Sequence, residues 1–343
     1  MGRKRQTRSA GNRHRAQERD SGQGKPPDRP PNRPGDPVHI QDTSGMKYGV
    51  IGCGNLGGHL AASLVRGDFD VVVFDQNIAN TTRLTDLGAV LAADPAALAA
   101  SCDAVITCLP SPVVSESVLD QILTTARPGL TWIEMSTLGR DDIVRLAAKA
   151  AAHGVNCIEC PVTGGVHLAA SGDITVLVGG DQALFDLHRP ALQAMGGTII
   201  HMGPLGSAAV IKVITNMLAF IHLVADGEAL MLAKRAGLDL TKSWQAIAAS
   251  SGNSFVHETE GQLILNGSYD VAFSMDLALK DLRFAKGFSD ETGTPLALAD
   301  LVHDIFKQGK AAYGGSAQST QIVKLLEDAL ATDLRAPGFP ARL

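Results

Sequence analysis

From Met46 onward, short apolar runs alternate with stretches whose apolar residues recur at helical spacing. The runs are YGVI (48–51), VVVF (71–74), AVITCL (104–109), LTWIEM (130–135), VNCIE (155–159), ITVLVG (174–179) and TIIHM (198–202). Continuous short runs of this kind suit parallel strands covered on both faces. Helical patterns such as LGGHLAASLVRG and DDIVRLAAKAAAHG lie between them. The alternation predicts a doubly wound α/β domain over residues 46–206. Beyond it the strand signal stops. Helical periodicity continues to about residue 335, broken at Gly237, Gly252, Gly267, Gly293-Thr294-Pro295 and Gly314-Gly315. It predicts an all-helical second domain at 207–335, which binds substrate and pairs subunits, entered by a long helix over about 206–235.

The first strand runs into Gly52-Cys53-Gly54-Asn55-Leu56-Gly57, a GxGxxG between strand and helix. In that setting Gly52 allows the tight turn, Gly54 lets the backbone approach a pyrophosphate, and Gly57 lets the helix pack on the strand. The helix start offers free N–H groups to phosphates, with Asn55 and Leu56 in the same loop. Asp75 ends the second strand, where an acid binds the adenosine ribose hydroxyls. It would repel a 2′-phosphate, so the expected cofactor is NAD rather than NADP.

Composition and charge narrow the picture. Residues 1–45 carry ten Lys/Arg against five Asp/Glu and almost no core-forming residues. They are read as a disordered basic tail, with the fold beginning at Met46. The rest of the chain is acidic, which gives no electrostatic reason to expect nucleic-acid binding. The apolar stretch 208–233 is long enough to span a membrane. Lys212, Asn216, His222, Asp226 and Glu228 interrupt it, and a buried helix of a soluble protein is the better reading. The cysteines, five in number, do not form a disulfide framework, so a reducing, cytoplasmic compartment is expected. Cys157 and Cys160 form a CxxC. Being three apart in a strand they face opposite ways, and no second pair completes a zinc site. The histidines show no ligand spacing, and no metal is assigned.

Lys212 and Asn216 are the odd residues of the long apolar helix. At i and i+4 they face the same way. A buried ammonium is costly unless it is paired or gives up its proton. Either the lysine lays its stem on the core and reaches water, or it works as an acid–base group.

Four stretches, in this order, resemble the β-hydroxyacid dehydrogenase family, which includes 3-hydroxyisobutyrate dehydrogenases and tartronate semialdehyde reductases. They are VIGCGNLGG, ECPVTGGVHLAASGDITVLVGGD, GSAAVIKVITNML and LALKDLRFA, and the likeness covers about residues 46–330. The resemblance implies that Lys212 is the catalytic lysine and Asn216 a substrate-binding residue. It implies that Thr163, Gly164 and Gly165 bind substrate, with threonine where serine is commoner. It places Leu109, Pro110, Thr137 and Lys280 near the cofactor, with Asp281 beside Lys280. Glu159 and Cys160 depart from the family's usual Asp-Ala.

The expected reaction is NAD-dependent oxidation of a small 3-hydroxy acid. Hydride passes to nicotinamide, and Lys212, its pKa lowered by burial, takes the hydroxyl proton. The alternatives are a tartronate- or succinic-type semialdehyde reductase and a non-catalytic nucleotide-binding partner protein. The expected partners are a small carboxylate substrate and a second copy of the chain, as homodimer or homotetramer, with no membrane. His167 could touch substrate, Ser250–Asn253 could line the pocket, and Trp244 and Phe255 are read as helix-packing residues.

Overall fold

The computed structural model describes residues 45–343; the expectation for the basic tail lies outside them. The first region runs β1 (Lys47–Ile51), α1 (Gly57–Arg66), β2 (Asp70–Phe74), α2 (Ala79–Asp86), β3 (Val90–Leu91), α3 (Pro95–Ser101), β4 (Ala104–Thr107), α4 (Pro112–Leu123), β5 (Thr131–Glu134), α5 (Arg140–Ala151) and β6 (Asn156–Glu159). It continues through β7 (Val162–Thr163), α6 (Val166–Ser171), β8 (Thr175–Gly179), α7 (Gln182–Met195) and β9 (Thr198–Gly203). The helical region follows as α8 (Ser207–Arg235), α9 (Leu240–Ala248), α10 (Phe255–Glu258), α11 (Glu260–Asn266), α12 (Met275–Thr292), α13 (Ala297–Tyr313) and α14 (Lys324–Ala329).

The strands form one sheet in the order β3-β2-β1-β4-β5-β6-β8-β7, with β9 on β8. The first six are parallel, with Val50 opposite Val73 on one side and Ile106 on the other. This is the doubly wound order, which reverses direction between β1 and β4 and opens a crevice at their carboxyl ends.

One expectation is corrected here. The strand of the ITVLVG run, β8, is antiparallel to its neighbour β6. A parallel return needs a full crossover. The chain instead turns back at Gly164 and Gly165, both at positive φ, and pairs β7 antiparallel to β8. The sheet is therefore mixed, and only β9 returns parallel to β8, through α7.

Alternation along the strands builds two core layers. Tyr48, Val50, Val73, Ile106 and Ile133 pack with α1 and α7 on one face. Val72, Val105 and Trp132 pack with α3, α4 and α5 on the other. Cys160 lies in the first layer and Cys157 against the second, and both thiols are free.

The helical region has its own core. Phe220, Leu223, Leu230 and Met231 of α8 pack against Met275, Leu279 and Leu282 of α12 and Val302 and Phe306 of α13. By length and composition alone α8 could cross a membrane. Its Lys212, Asn216 and Asp226 are buried within the protein.

Candidate active site

The β1–α1 loop is shaped by its glycines. Gly52 sits at φ +91°, where a Cβ would lie 2.3 Å from the Cys108 carbonyl oxygen. A Cβ on Gly57 would lie 1.9 Å from the Gly52 carbonyl oxygen. A Cβ on Gly54 would meet no protein atom within 4 Å. The two outer glycines thus allow close backbone packing, and the middle one leaves a bare ledge at the start of α1, a cradle that fits a dinucleotide pyrophosphate.

Asp75 stands behind this ledge. Its Oδ2 accepts the Cys53 N–H at 2.7 Å, and its Oδ1 accepts the Asn77 N–H and the Asn80 amide at 2.8 and 3.1 Å. The carboxylate holds the loop in place and keeps acceptor lone pairs free for ribose hydroxyls.

A cleft of about 890 Å³ runs from the ledge to the helical region. Gly54, Asn55, Leu56 and Gly57 line its first end, while Gly52 and Asp75 lie outside its lining. Leu109, Pro110 and Thr137 line it from the ends of β4 and β5. These two loops are joined beneath by buried groups. The Leu109 N–H donates to Ser136 Oγ at 2.8 Å, and the Ser136 N–H donates to Glu134 Oε1 at 2.7 Å. Thr107 Oγ1 donates to Glu134 Oε2 at 3.0 Å.

Thr163, Gly164 and Gly165 line the middle. Gly164 and Gly165 lie at φ +119° and +89°, which favours glycine, and a Cβ on Gly164 would strike the Leu168 side chain at 2.7 Å. His167 also lines the cleft and stacks on Phe255, ring centroids 6.2 Å apart. Phe255 is 53% exposed and faces the cleft, so its reading as a packing residue is corrected. Trp244 does pack, donating its indole N–H to the His257 carbonyl at 2.9 Å. Ser250–Asn253 do not line the cleft.

Opposite stands α8, started by a buried acid. Glu159, 2% exposed at the end of β6, accepts the N–H groups of Gly206, Ala208 and Ala209 at 2.6, 2.9 and 3.0 Å. Burial raises its pKa to about 7, while the three N–H donors pull it down. One turn on, Lys212 Nζ donates to Asn216 Oδ1 at 2.7 Å, and Asn216 Nδ2 donates to Asp281 Oδ2 at 2.6 Å. Asp281 Oδ1 lies 3.3 Å from Lys280 Nζ, which donates to the Thr137 carbonyl at 2.9 Å. Lys212 is 8% exposed and does not reach out to water. Burial lowers its pKa to about 8; Asp281 opposes the shift and Lys280 adds to it. A lysine in this state exchanges a proton near neutral pH.

Glu134, Phe255 and Glu260 belong to the site or its support, and no motif singles them out. Glu134 carried a signal, an acid inside the apolar run LTWIEM. Glu260 carried none. Among the described residues no group of His, Cys, Asp and Glu could hold a metal ion.

Two family models match the chain. Residues 47–203 match the NAD binding domain of 6-phosphogluconate dehydrogenase. Residues 206–326 match a model described as the NAD-binding of NADP-dependent 3-hydroxyisobutyrate dehydrogenase. The chain is 30% identical to L-threonate dehydrogenase of Cupriavidus necator, over 81% of this chain and 95% of that one. It is 29% identical to 2-(hydroxymethyl)glutarate dehydrogenase of Eubacterium barkeri, over 82% and 95%. Among solved structures, 3-hydroxyisobutyrate dehydrogenase of Mycobacterium tuberculosis with L-serine superposes with a TM-score of 0.74. It is 29% identical, covering 82% of this chain and 99% of that one.

Proposed function

The chain belongs to the β-hydroxyacid dehydrogenase family, and on that premise we propose that it oxidises a small 3-hydroxy acid with NAD, Lys212 moving the proton. The observation that carries this reading is the Lys212–Asn216–Asp281 chain of hydrogen bonds, set in one cleft with the bare ledge at Gly54.

The substrate carboxylate is held at Thr163, Gly164 and Gly165, by the threonine hydroxyl and the loop N–H groups. Asn216, its amide oriented by Asp281, positions the substrate hydroxyl beside Lys212. Lys212 Nζ takes the hydroxyl proton as the carbon–oxygen double bond forms. In reduction the same ammonium returns it. Bound NAD supplies the hydride acceptor. Gly54, Asn55, Leu56 and Gly57 would hold it, with Gly52 shaping the turn. Asp75 would take the ribose, and Leu109, Pro110, Thr137 and Lys280 would border the nicotinamide end. The lysine's lowered pKa matches it to this work, since the ideal catalytic pKa lies near the operating pH.

A panel of short hydroxy acids, assayed by NADH absorbance, tests the reading. Turnover of at least one 3-hydroxy acid that disappears in Lys212→Ala is the expected result. Binding of NAD with no turnover across the panel would favour a nucleotide-binding partner protein instead.

Two further features belong to the same reading. Ile214, Leu218 and Leu232 of α8 and Leu298 and Leu301 of α13 are exposed apolar side chains. They fit burial against a second copy, in a homodimer or homotetramer, which light scattering in solution would detect. The free thiols fit a reducing, cytoplasmic compartment.

A further inference from the structure

One carboxyl group stands in the cleft without a protein partner. Glu260 opens α11 and lines the cleft with Asn216, Ala219, Phe220 and Val256. Only burial and the neighbouring Asp226 act on it; no hydrogen bond or ion pair does among the described residues. Asp226, on α8, lies behind it and is bonded through Oδ1 to His257 Nδ1 at 2.5 Å. The residue after Glu260 is Gly261, where a Cβ would come within 2.9 Å of Asp226 Oδ2. The missing side chain lets Asp226 pack close to this turn from behind the cleft lining.

Burial first, and the Asp226 charge second, push Glu260 up to about 8. That shift favours the carboxylic acid form near neutral pH, with one O–H donor and a carbonyl acceptor. Such a group, partly buried among apolar neighbours, is unfavourable until something in the cleft pairs with it.

Resting on the dehydrogenase reading above, we propose that Glu260 determines specificity, selecting hydroxy acids whose far end carries a further hydroxyl over those ending in methyl or in a second carboxylate. The cleft face of α8 runs from Lys212 through Asn216 to Ala219 and Phe220. A short acid held by its carboxylate at Gly164–Gly165 and by its reacting hydroxyl at Lys212 extends the rest of its chain along that face. A hydroxyl there donates to the Glu260 carbonyl and accepts from its O–H. A methyl leaves both groups unpaired. A second carboxylate accepts from the O–H but leaves the carbonyl unpaired, and it brings a negative charge toward Asp226 behind Glu260.

The three relatives supply the probes, because beyond the carboxylate and the reacting hydroxyl their substrates carry different groups: L-threonate further hydroxyls, 3-hydroxyisobutyrate a methyl branch, 2-(hydroxymethyl)glutarate an arm that ends in a carboxylate. The wild type should favour L-threonate by about tenfold or more in kcat/KM, since sites built to hydrogen-bond a hydroxyl reject analogues that lack it. Glu260→Gln, which keeps a donor and an acceptor, should hold that preference within a few-fold. Glu260→Leu should remove it while activity on 3-hydroxyisobutyrate is kept, an outcome that a general loss of structure would not give. A wild type favouring the methyl or the carboxylate end overturns the assignment, as does an unchanged ratio in Glu260→Leu. Should the wild type oxidise none of the three, the kinetic comparison gives no ratio, and the dehydrogenase reading stands or falls on the wider panel above. Calorimetry on NAD-loaded Lys212→Ala, which keeps Glu260, then decides the assignment. Tighter binding of L-threonate than of 3-hydroxyisobutyrate upholds it, and equal or weaker binding overturns it.

Discussion

Asn216 Nδ2 donates to Asp281 Oδ2 at 2.6 Å, joining α8 to α12 inside the cleft. The bond decides which way the Asn216 amide faces. With its NH2 spent on the carboxylate, its oxygen turns to Lys212. Asp281 also favours the charged form of Lys212, against the larger effect of burial. One acid thus aims the amide and tempers the amine.

Asp281→Asn should therefore act in two separable ways. The amide loses its fixed orientation, and turnover falls by about tenfold or more, a loss of roughly 1.4 kcal/mol of transition-state stabilisation. The Lys212 pKa also falls, because the group that raised it is neutral. The acidic limb of the pH–rate profile should move to lower pH. A limb that stays in place, or moves up, would contradict this placement of Asp281.

Lys212→Ala should cut turnover by about 10²–10⁴-fold, the usual worth of general acid–base catalysis. NAD binding, followed by fluorescence quenching, should change little because the glycine loop and Asp75, not Lys212, are the groups assigned to hold it. Lys212→Arg should not rescue, since a guanidinium stays protonated and cannot accept the substrate proton. Folded Lys212→Ala protein with turnover within a few-fold of wild type would end the mechanism.

The pH dependence follows from the sign of the Lys212 shift, which is downward to about 8. Oxidation needs the neutral amine. Below about 8 its rate should fall by about tenfold per pH unit, and above it the rate should level. Reduction needs the ammonium and should show the mirror image. The positive charge of bound NAD⁺ acts in the same direction as burial, so in the full complex the break belongs at or below that pH. A flat profile between pH 6 and 9, with chemistry shown to limit the rate by a deuterium isotope effect, would exclude Lys212 as the titrating group.

Cofactor choice turns on Asp75. The wild type should prefer NAD over NADP by about tenfold or more, equivalent to about 1.4 kcal/mol. Asp75→Asn keeps one acceptor oxygen and removes the charge, so it should narrow the gap. Asp75→Arg should narrow or reverse it, at the expense of the brace on the Cys53 N–H. Titrating both cofactors into each variant measures this. Better use of NADP than NAD by the wild type would show that Asp75 serves the loop and not the ribose.

The seven apolar runs were legible as strands, six because they bury most of their side chains; the run of β9 was legible from its residue types alone, since Ile200 is 43% exposed and none of its residues is fully buried. The two-residue strands β3 and β7 were not. Val90 and Leu91 are exposed, and Val162-Thr163 is too short to show a period. The reversed direction of β8 was hidden because a run of ITVLVG reads the same either way; Gly164 and Gly165 turn the chain, and their φ angles are not visible in composition. Lys212 and Asn216 stood out as polar residues in an apolar helix. Glu260 did not, because a glutamate at a helix start is unremarkable until the cavity before it is known. Phe255 was misread for the same reason, since an aromatic residue shows no sign of whether it faces a core or a cleft.

The acid that starts α8 bears on how such proteins can be recombined. Glu159 belongs to the sheet, yet its carboxylate grips the first N–H groups of the helix that carries Lys212. The lysine thus takes its position from the nucleotide-binding half, although it sits in the chain of the helical half. A chimera spliced at residue 206 would join a foreign helix to this anchor and leave its lysine's register to chance. A crossover placed after Asn216 would carry anchor, lysine and amide over as one inherited block, and the contacts to rebuild would be those from α12, Asp281 to the amide and Lys280 to the Thr137 carbonyl.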